Sequence, residues 1–344
     1  EDEMKFKWMK NQTSLTIADK SVDSLEDLVF FPNLTSLTLG EYGANIPPII
    51  SMNGIENCTK LVELSIIHGP DKDYRAITQL DNLKNFVRFN GNDYDNIVDY
   101  LKFCKNIEKV VIRNQKRVNM SRISELGNLK KLTLGSNEIT KIDGLNNMTN
   151  LTVLDLSDNK IEKIEGLDNL KNLQELSLNN NSITDITPLI ANSLLITLNL
   201  KGNARIDGNR SNYTGNKLEA LNKIGKILDR GGNIYLDVDK LGLFTNYKNL
   251  DLSGQNLTTL ESIEELTQLT ILNLNNNKLT LEDKKSQEIL KSMSNLKVLN
   301  LVNNQITNIK AINSLSNLQA LYLSGENNSV NLVEIEDIIS NLDT

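Results

Sequence analysis

The chain has 344 residues, 39% hydrophobic and 24% charged, with a net charge of −7. No apolar run approaches the roughly 18 residues of a membrane span. The basic residues are too local for a nucleic-acid surface: residues 84–131 hold eleven Lys and Arg against five Asp and Glu, a local +6 that leaves −13 on the rest.

In chain order, residues 1–11 read as an N-terminal cap in which Met4, Phe6 and Trp8 alternate as a half-strand laid over the first coil. The opening EDEMKFKW lacks the basic and apolar regions of a leader, so a removed signal peptide or a trimmed terminus is expected before it.

From residue 12 the chain repeats. Coils begin near 12, 34, 61, 83, 107, 129, 151, 173, 195, 247, 269, 296 and 318, mostly 22 residues apart, with longer steps of 24, 27 and 52. The template is L-x-x-L-x-L-x-x-N-x-I-x-x-I-x-x-L-x-x-L-x-x. Its first half has a period of two, as in Leu154 and Leu156 or Leu272 and Leu274, which marks a short strand with one buried face. Its second half has a period of three, as in Ile161, Ile164, Leu167 and Leu170, which fits 3₁₀ turns or extended segments.

Strands returned so quickly lie parallel, and the crossover rule makes the winding right-handed. One coil buries about seven apolar side chains at roughly 1.5–3 kcal/mol each. Ordering its residues costs about 1–2 kcal/mol apiece in backbone entropy. A lone coil is therefore unstable, and stability comes from stacking on neighbours.

At position nine stand Asn137, Asn159, Asn181, Asn203, Asn277 and Asn304. A buried Asn there satisfies turn backbone groups on both sides of its amide, a structural role. The outer coils depart from this, with Lys20, Tyr42, Gly69 and Gln115 in that place.

The template resembles the leucine-rich repeat in its 22-residue bacterial form, and NNSITDITPLIANSL (180–194) is similar to the repeat of internalin-family surface proteins. The resemblance covers most of 12–325. It implies an α/β solenoid, a right-handed leucine-rich-repeat horseshoe. Its parallel β-ribbon lines the concave face, with mostly 3₁₀ or extended segments on the convex face. It also implies a helical N-terminal cap, which the half-strand reading of 1–11 does not supply.

Between coils the pattern breaks. In LKNFVRFNG (83–91) either Phe86 or the pair Val87 and Phe89 faces inward; the second choice places Asn92 at position nine and is preferred. Residues 204–246 form an irregular insert. It contains a polar stretch at 204–216, a helix with Leu218, Leu221, Ile224, Ile227 and Leu228 on one face, and a strand in NIYLDVD with Leu236 and Val238 inward. This reads as one irregular coil, or alternatively as a projecting binding loop at 204–216. Repeats resume at 247–325, and 326–344 read as a C-terminal helical cap with Ile335, Ile338, Ile339 and Leu342 on one side. The whole reads as a single domain, 1–344.

Little in the sequence carries chemistry. The lone histidine, His68, has no partners for a zinc site or a Ser-His-Asp arrangement. Cys58 and Cys104 both take the last inward place of coils two apart, too distant for a disulfide, and read as buried thiols. DGNRSNYTGNKL from Asp207 lacks the glycine and the final acid of a calcium loop. No P-loop or G-x-G-x-x-G is present. No cofactor, metal or catalytic residue is expected.

Outward strand positions carry no packing duty, so recognition belongs there. The earlier coils offer Lys109, Arg113 and Lys131, a basic group suited to an acidic protein or an anionic glycan. The later coils offer Ile271, Val298, Val302 and Tyr322, an apolar group resembling an interface core. The expectation is a non-enzymatic, monomeric protein-binding module that neither spans a membrane nor binds nucleic acid. The resemblance to internalins implies a bacterial cell-surface or secreted protein engaging a host or neighbouring surface protein. An intracellular scaffold and the targeting part of a larger enzyme are the alternatives.

Overall fold

A computed structural model describes residues 2–18, 22–41, 51–67, 73–91, 94–115 and 118–330. The chain divides into two compact units, Glu1–Arg205 and Ile206–Thr344.

The first unit opens with helix α1 (Asp2–Asn11), so residues 1–11 are not the half-strand expected. DEMKFKWMKN contains no β-branched residue and is rich in Met and Lys, which favour helix, while Lys10 lies in the last turn, where the helix dipole favours a cation. Met4 and Trp8 are exposed, and Phe6 packs against Phe30 with ring centroids 5.5 Å apart.

Nine parallel strands follow in sequence order, each paired with the next: β1 (Ser14–Ile17), β2 (Ser36–Leu39), β3 (Glu63–Ile66), β4 (Asn85–Gly91), β5 (Lys109–Gln115), β6 (Lys131–Thr133), β7 (Val153–Asp155), β8 (Glu175–Ser177) and β9 (Thr197–Asn199). Leu132, Leu154, Leu176 and Leu198 stack in register and are fully buried. Short 3₁₀ turns make the return at Glu26–Phe30, Arg75–Gln79, Met120–Glu125 and Thr187–Ala191. The 24-residue coil instead returns through helix α2 (Tyr94–Leu101).

The register at 83–91 is opposite to the preferred one. Phe86 pairs with Leu64 and Arg88 with Ile66, and both Phe86 and Arg88 are fully buried. Burying an arginine is tolerable here because its Nη1 donates to the carbonyl of Phe89 at 2.7 Å and of Ile67 at 3.5 Å. Val87 and Phe89 are thereby turned to the open face, half-buried. Asn92 lies outside the described residues, as do His68, Lys20, Tyr42 and Gly69.

The second unit begins with the irregular stretch. Helix α3 (Gly215–Asp229) buries Leu221, Ile224 and Ile227; Leu218 and Leu228 are half-buried. Strand β10 (Asn233–Tyr235) follows, with Ile234 and Leu236 inward; Val238, expected to point in, starts a 3₁₀ turn and is half-buried. The polar stretch before α3 is tied down. The Tyr213 hydroxyl donates to the Asp207 carbonyl at 3.1 Å, and Arg210 donates to the Leu243 carbonyl and to Asn222 Oδ1.

A four-stranded parallel sheet then runs β11 (Asn249–Asp251), β12 (Ile271–Asn273), β13 (Val298–Asn300) and β14 (Ala320–Tyr322). The extra residues of the 27-residue coil that begins near 269 build helix α4 (Lys284–Ser292), whose N-cap Asp283 accepts from the Ser286 amide at 2.6 Å. The tail residues Ile335, Ile338, Ile339 and Leu342 lie outside the described residues.

Both units are held by the position-nine asparagines. Asn159 Nδ2 donates to the carbonyls of Leu134, Leu156 and Ser157, each at 3.0 Å. Its Oδ1 accepts from the Asn137 and Ile139 amides at 3.1 and 2.9 Å. Asn181, Asn203, Asn277 and Asn304 repeat the scheme, and Asn328 extends it one coil further than the repeat pattern predicts. Gln115 is buried in the column: its main-chain amide donates to Asn137 Oδ1 at 2.8 Å, as the Asn137 amide does to Asn159, while its Nε2 donates to the Arg113 carbonyl at 3.3 Å.

Except at Asn328, the residue before each of these turns left-handed: Asn114, Ser136, Asp158, Asn180, Asn276 and Asn303 have φ between 52° and 61°, and Gly202 lies at 72°. Short polar side chains or glycine are what that backbone accepts.

Candidate binding surface

The ribbon presents rows of outward side chains, because successive strand residues alternate faces. In the first unit the row of third positions runs Ser36, Glu63, Asn85, Lys109, Lys131, Val153, Glu175 and Thr197. Lys109 and Lys131 are cross-strand neighbours, both exposed, and neither has a carboxylate partner among the described residues. Asn85 Nδ2 donates to Glu63 at 2.9 Å beside them.

Arg113 differs from the lysines. Its Nη2 reaches across one whole strand to Asp155 Oδ2 at 2.6 Å. Gly135 lies under this crossing: a Cβ there would come within 2.9 Å of Ser157 Oγ and 3.5 Å of Arg113 Cζ. The basic group is in practice two available ammoniums plus an arginine neutralised by Asp155. Val87, Val111 and Phe89 add a half-buried apolar strip beside it, Phe89 opposite Arg113 in register. Periodicity misses Val87 and Phe89 because the register it favours turns them inward.

In the second unit Ile271, Val298 and Ala320 are successive neighbours in one row, and Asn273, Asn300 and Tyr322 in the next. Ile271 is 42% and Tyr322 53% exposed; Val298 and Val302 are half-buried on the same face. The structure brings the four predicted apolar residues onto one surface. Asparagine side chains frame it: Asn273 Nδ2 donates to Asp251 Oδ1 at 3.2 Å, and the Asn300 carboxamide oxygen accepts from the Val302 amide at 3.0 Å. The Ser253 amide and hydroxyl, aided by Asn273, hold the Asp251 carboxyl below its ordinary range.

The remaining chemistry-bearing residues have structural employment. Burial pushes the Cys58 thiol up to about 11 and the Cys104 thiol up to about 12, with smaller contributions from Glu56 and Asp81; neither forms a disulfide, and Cys104 Sγ donates to the Ile77 carbonyl at 3.5 Å. Asp207 accepts from the Asn209 amide at 3.0 Å and Asn212 Nδ2 at 2.8 Å, bonds that hold a turn. No cluster of three potential metal ligands occurs among the described residues, and no described helix is long and apolar enough to cross a membrane.

Leucine-rich-repeat family models match residues 127–169, 172–194 and 294–341, the coils nearest the template. The chain has the leucine-rich-repeat fold, and these three segments match the family's models. Among solved structures, the leucine-rich-repeat protein LIC12759 of Leptospira interrogans is 22% identical, with 99% of this chain and 96% of that one covered and a TM-score of 0.60. The internalin InlF of Listeria monocytogenes is 23% identical over 92% of this chain and 88% of that one, with a TM-score of 0.48. TLR13, solved in complex with ssRNA13, is 18% identical over 93% of this chain and 51% of that one, with a TM-score of 0.63. No curated protein matches the chain by sequence.

Proposed function

We propose that this leucine-rich-repeat chain is a non-enzymatic module that binds a protein through the outward residues of its ribbon. The observation that carries the reading is the apolar cluster on the second ribbon: Ile271 and Tyr322, about half exposed, lie among Val298, Val302 and a frame of asparagines. A large aromatic and aliphatic group beside orientable amides is the composition of an interface core. The basic pair Lys109 and Lys131 adds a second contact zone, suited to an acidic protein surface or an anionic glycan. Resemblance to internalins supports placing the protein on a bacterial surface or in its secretions, acting as a monomer in adhesion to a host or neighbouring cell. Both units carry the same coil register, which supports one repeat domain over 1–344 with an irregular insert at 204–246.

The test is a pull-down by the purified chain from solubilised host and bacterial surface proteins, repeated with Tyr322→Ala, Ile271→Asp and Lys109→Glu. Loss of the captured partner in Tyr322→Ala or Ile271→Asp is expected. Capture unchanged by all three variants overturns the reading. Immunodetection of the native protein on intact bacterial cells and in the medium tests the placement, and recovery only from cytosol refutes it.

A further inference from the structure

Within the second unit the strand ladder is interrupted. The four-stranded sheet starts at β11, and β10, which precedes it in the chain, is not paired with it. A side chain stands in the gap. Tyr247 is buried, and its hydroxyl donates to the Ile234 carbonyl at 2.9 Å. Ile234 occupies in β10 the inward place that Leu250 occupies in β11. A carbonyl at that place in a regular coil accepts from the next strand; here a phenol has taken the position.

The interruption leaves β11 with an open edge. The Lys248 carbonyl accepts from the Thr270 and Ile271 amides at 2.7 and 3.0 Å, and the Leu252 amide donates to the Asn273 carbonyl at 2.8 Å. Both face β12. Backbone groups alternate direction along a strand, so the N–H and C=O of Asn249 and Asp251 point the other way. There they meet a cleft of about 750 Å³ whose lining includes Leu228, Gly231, Tyr235, Lys248, Asp251 and Ile271. Two N–H and two C=O groups are thus spaced along one strand edge, flanked by Tyr235 (44% exposed) and Ile271. This is the arrangement to which an extended peptide adds as a further strand.

Charge selects the peptide. The carboxylates of Asp229 and Asp251 line the cleft, against one ammonium, that of Lys248, which hydrogen-bonds Gln268. Apolar contact is offered by Tyr235 and Ile271. We propose that an extended segment of a protein partner, alternating basic and apolar side chains, adds to the open edge of β11 in this cleft. This rests on the reading that the chain binds protein, but it uses main-chain bonding along the β11 edge. The cleft shares Ile271 with the ribbon cluster and not Tyr322, Val298 or Val302, so Tyr322→Ala is the variant that separates the two.

The probe is a fluorescein-labelled seven-residue peptide of alternating Lys and Val, with two N-methylated versions: one methylated at its Lys amides, the other at its Val amides. Strand addition uses every second amide, so one methylated peptide should lose about 30-fold in affinity and the other stay within about twofold. Bound parent peptide should slow hydrogen exchange at the Asn249 and Asp251 amides. An alternating Glu and Val peptide should bind at least about 10-fold more weakly. The proposal is overturned if the parent shows no binding at about 1 mM, if the two methylated peptides lose equally, or if the acidic peptide binds as well. Tyr322→Ala leaves peptide affinity unchanged. Failure of the peptide with the surface-protein pull-down intact therefore removes only the cleft, whereas loss of that pull-down response with peptide binding intact removes only the ribbon reading.

Discussion

Replacing Asn159 by Ala removes five hydrogen bonds in one step. Two of their partners keep an alternative: the Ser157 carbonyl also accepts from the Ser136 amide at 3.0 Å, and the Leu156 carbonyl from Asn181 Nδ2 at 3.0 Å. Three are orphaned, namely the Asn137 and Ile139 amides and the Leu134 carbonyl. A buried unpaired group costs about 1–3 kcal/mol, and relaxation recovers part, so the expected loss is about 3–5 kcal/mol. Urea unfolding gives the total, while native-state hydrogen exchange should localise it to the coils from 129 to 181, since each coil is stabilised chiefly by its neighbours. Asn159→Asp sharpens the test. It keeps an acceptor for the two amides but turns a second oxygen toward carbonyls, which favours the protonated acid and raises its folded pKa. Stability of that variant should be greatest below about pH 4 and fall as pH rises through the raised value. A loss below about 1 kcal/mol for Asn159→Ala, the scale of an exposed site, would refute the column as the clamp between coils.

Three further outcomes are expected. The Arg113–Asp155 pair is about one-third and one-fifth exposed, so a double-mutant cycle should give about 0.5–1 kcal/mol of coupling; in a Gly135→Val background it should fall toward zero, and persistence of the coupling would show that the glycine is not what admits the crossing. Cys58 and Cys104 should resist iodoacetamide at pH 8 until urea is added. Because burial raises both thiols, their contribution is full below the ordinary value of 9.0 and is lost as pH rises toward about 11 and 12; alkaline titration of unfolding should flatten in Cys58→Ala and Cys104→Ala, and unchanged curves would contradict the assignment. Tyr247→Phe should cost about 1–2 kcal/mol by orphaning the Ile234 carbonyl, and a neutral result in urea unfolding would mean that water replaces the hydroxyl.

The repeat is legible because its signal is summed over many coils. Leu154 and Leu176 are inward by a pattern that no single segment could establish alone, and the same summation exposes the Asn column. What escapes is decided by single side chains. Arg88 is buried because two carbonyls lie within reach of its guanidinium, and hydropathy at 83–91 argues for the other register. Helix α1 is hidden by an accidental alternation of large side chains, although the lack of β-branched residues marks it. The open-face residues can be named from spacing, but their state cannot: that Arg113 is neutralised depends on an aspartate two strands away. The gap before β11 lies inside the irregular stretch and has no signature in periodicity. The left-handed residue before each position-nine Asn does have one, a column of Asn, Asp, Ser and Gly that the hydrophobic template passes over.

The Asn ladder has a polarity. Asn159 and Asn181 each reach back, completing the turn of the coil before them. During synthesis a nascent coil therefore remains unfinished until its successor emerges from the ribosome, one repeat later. Winding should advance one step behind translation, and deleting coils from the C-terminal side should leave raw backbone where trimming from the other end leaves a closed turn.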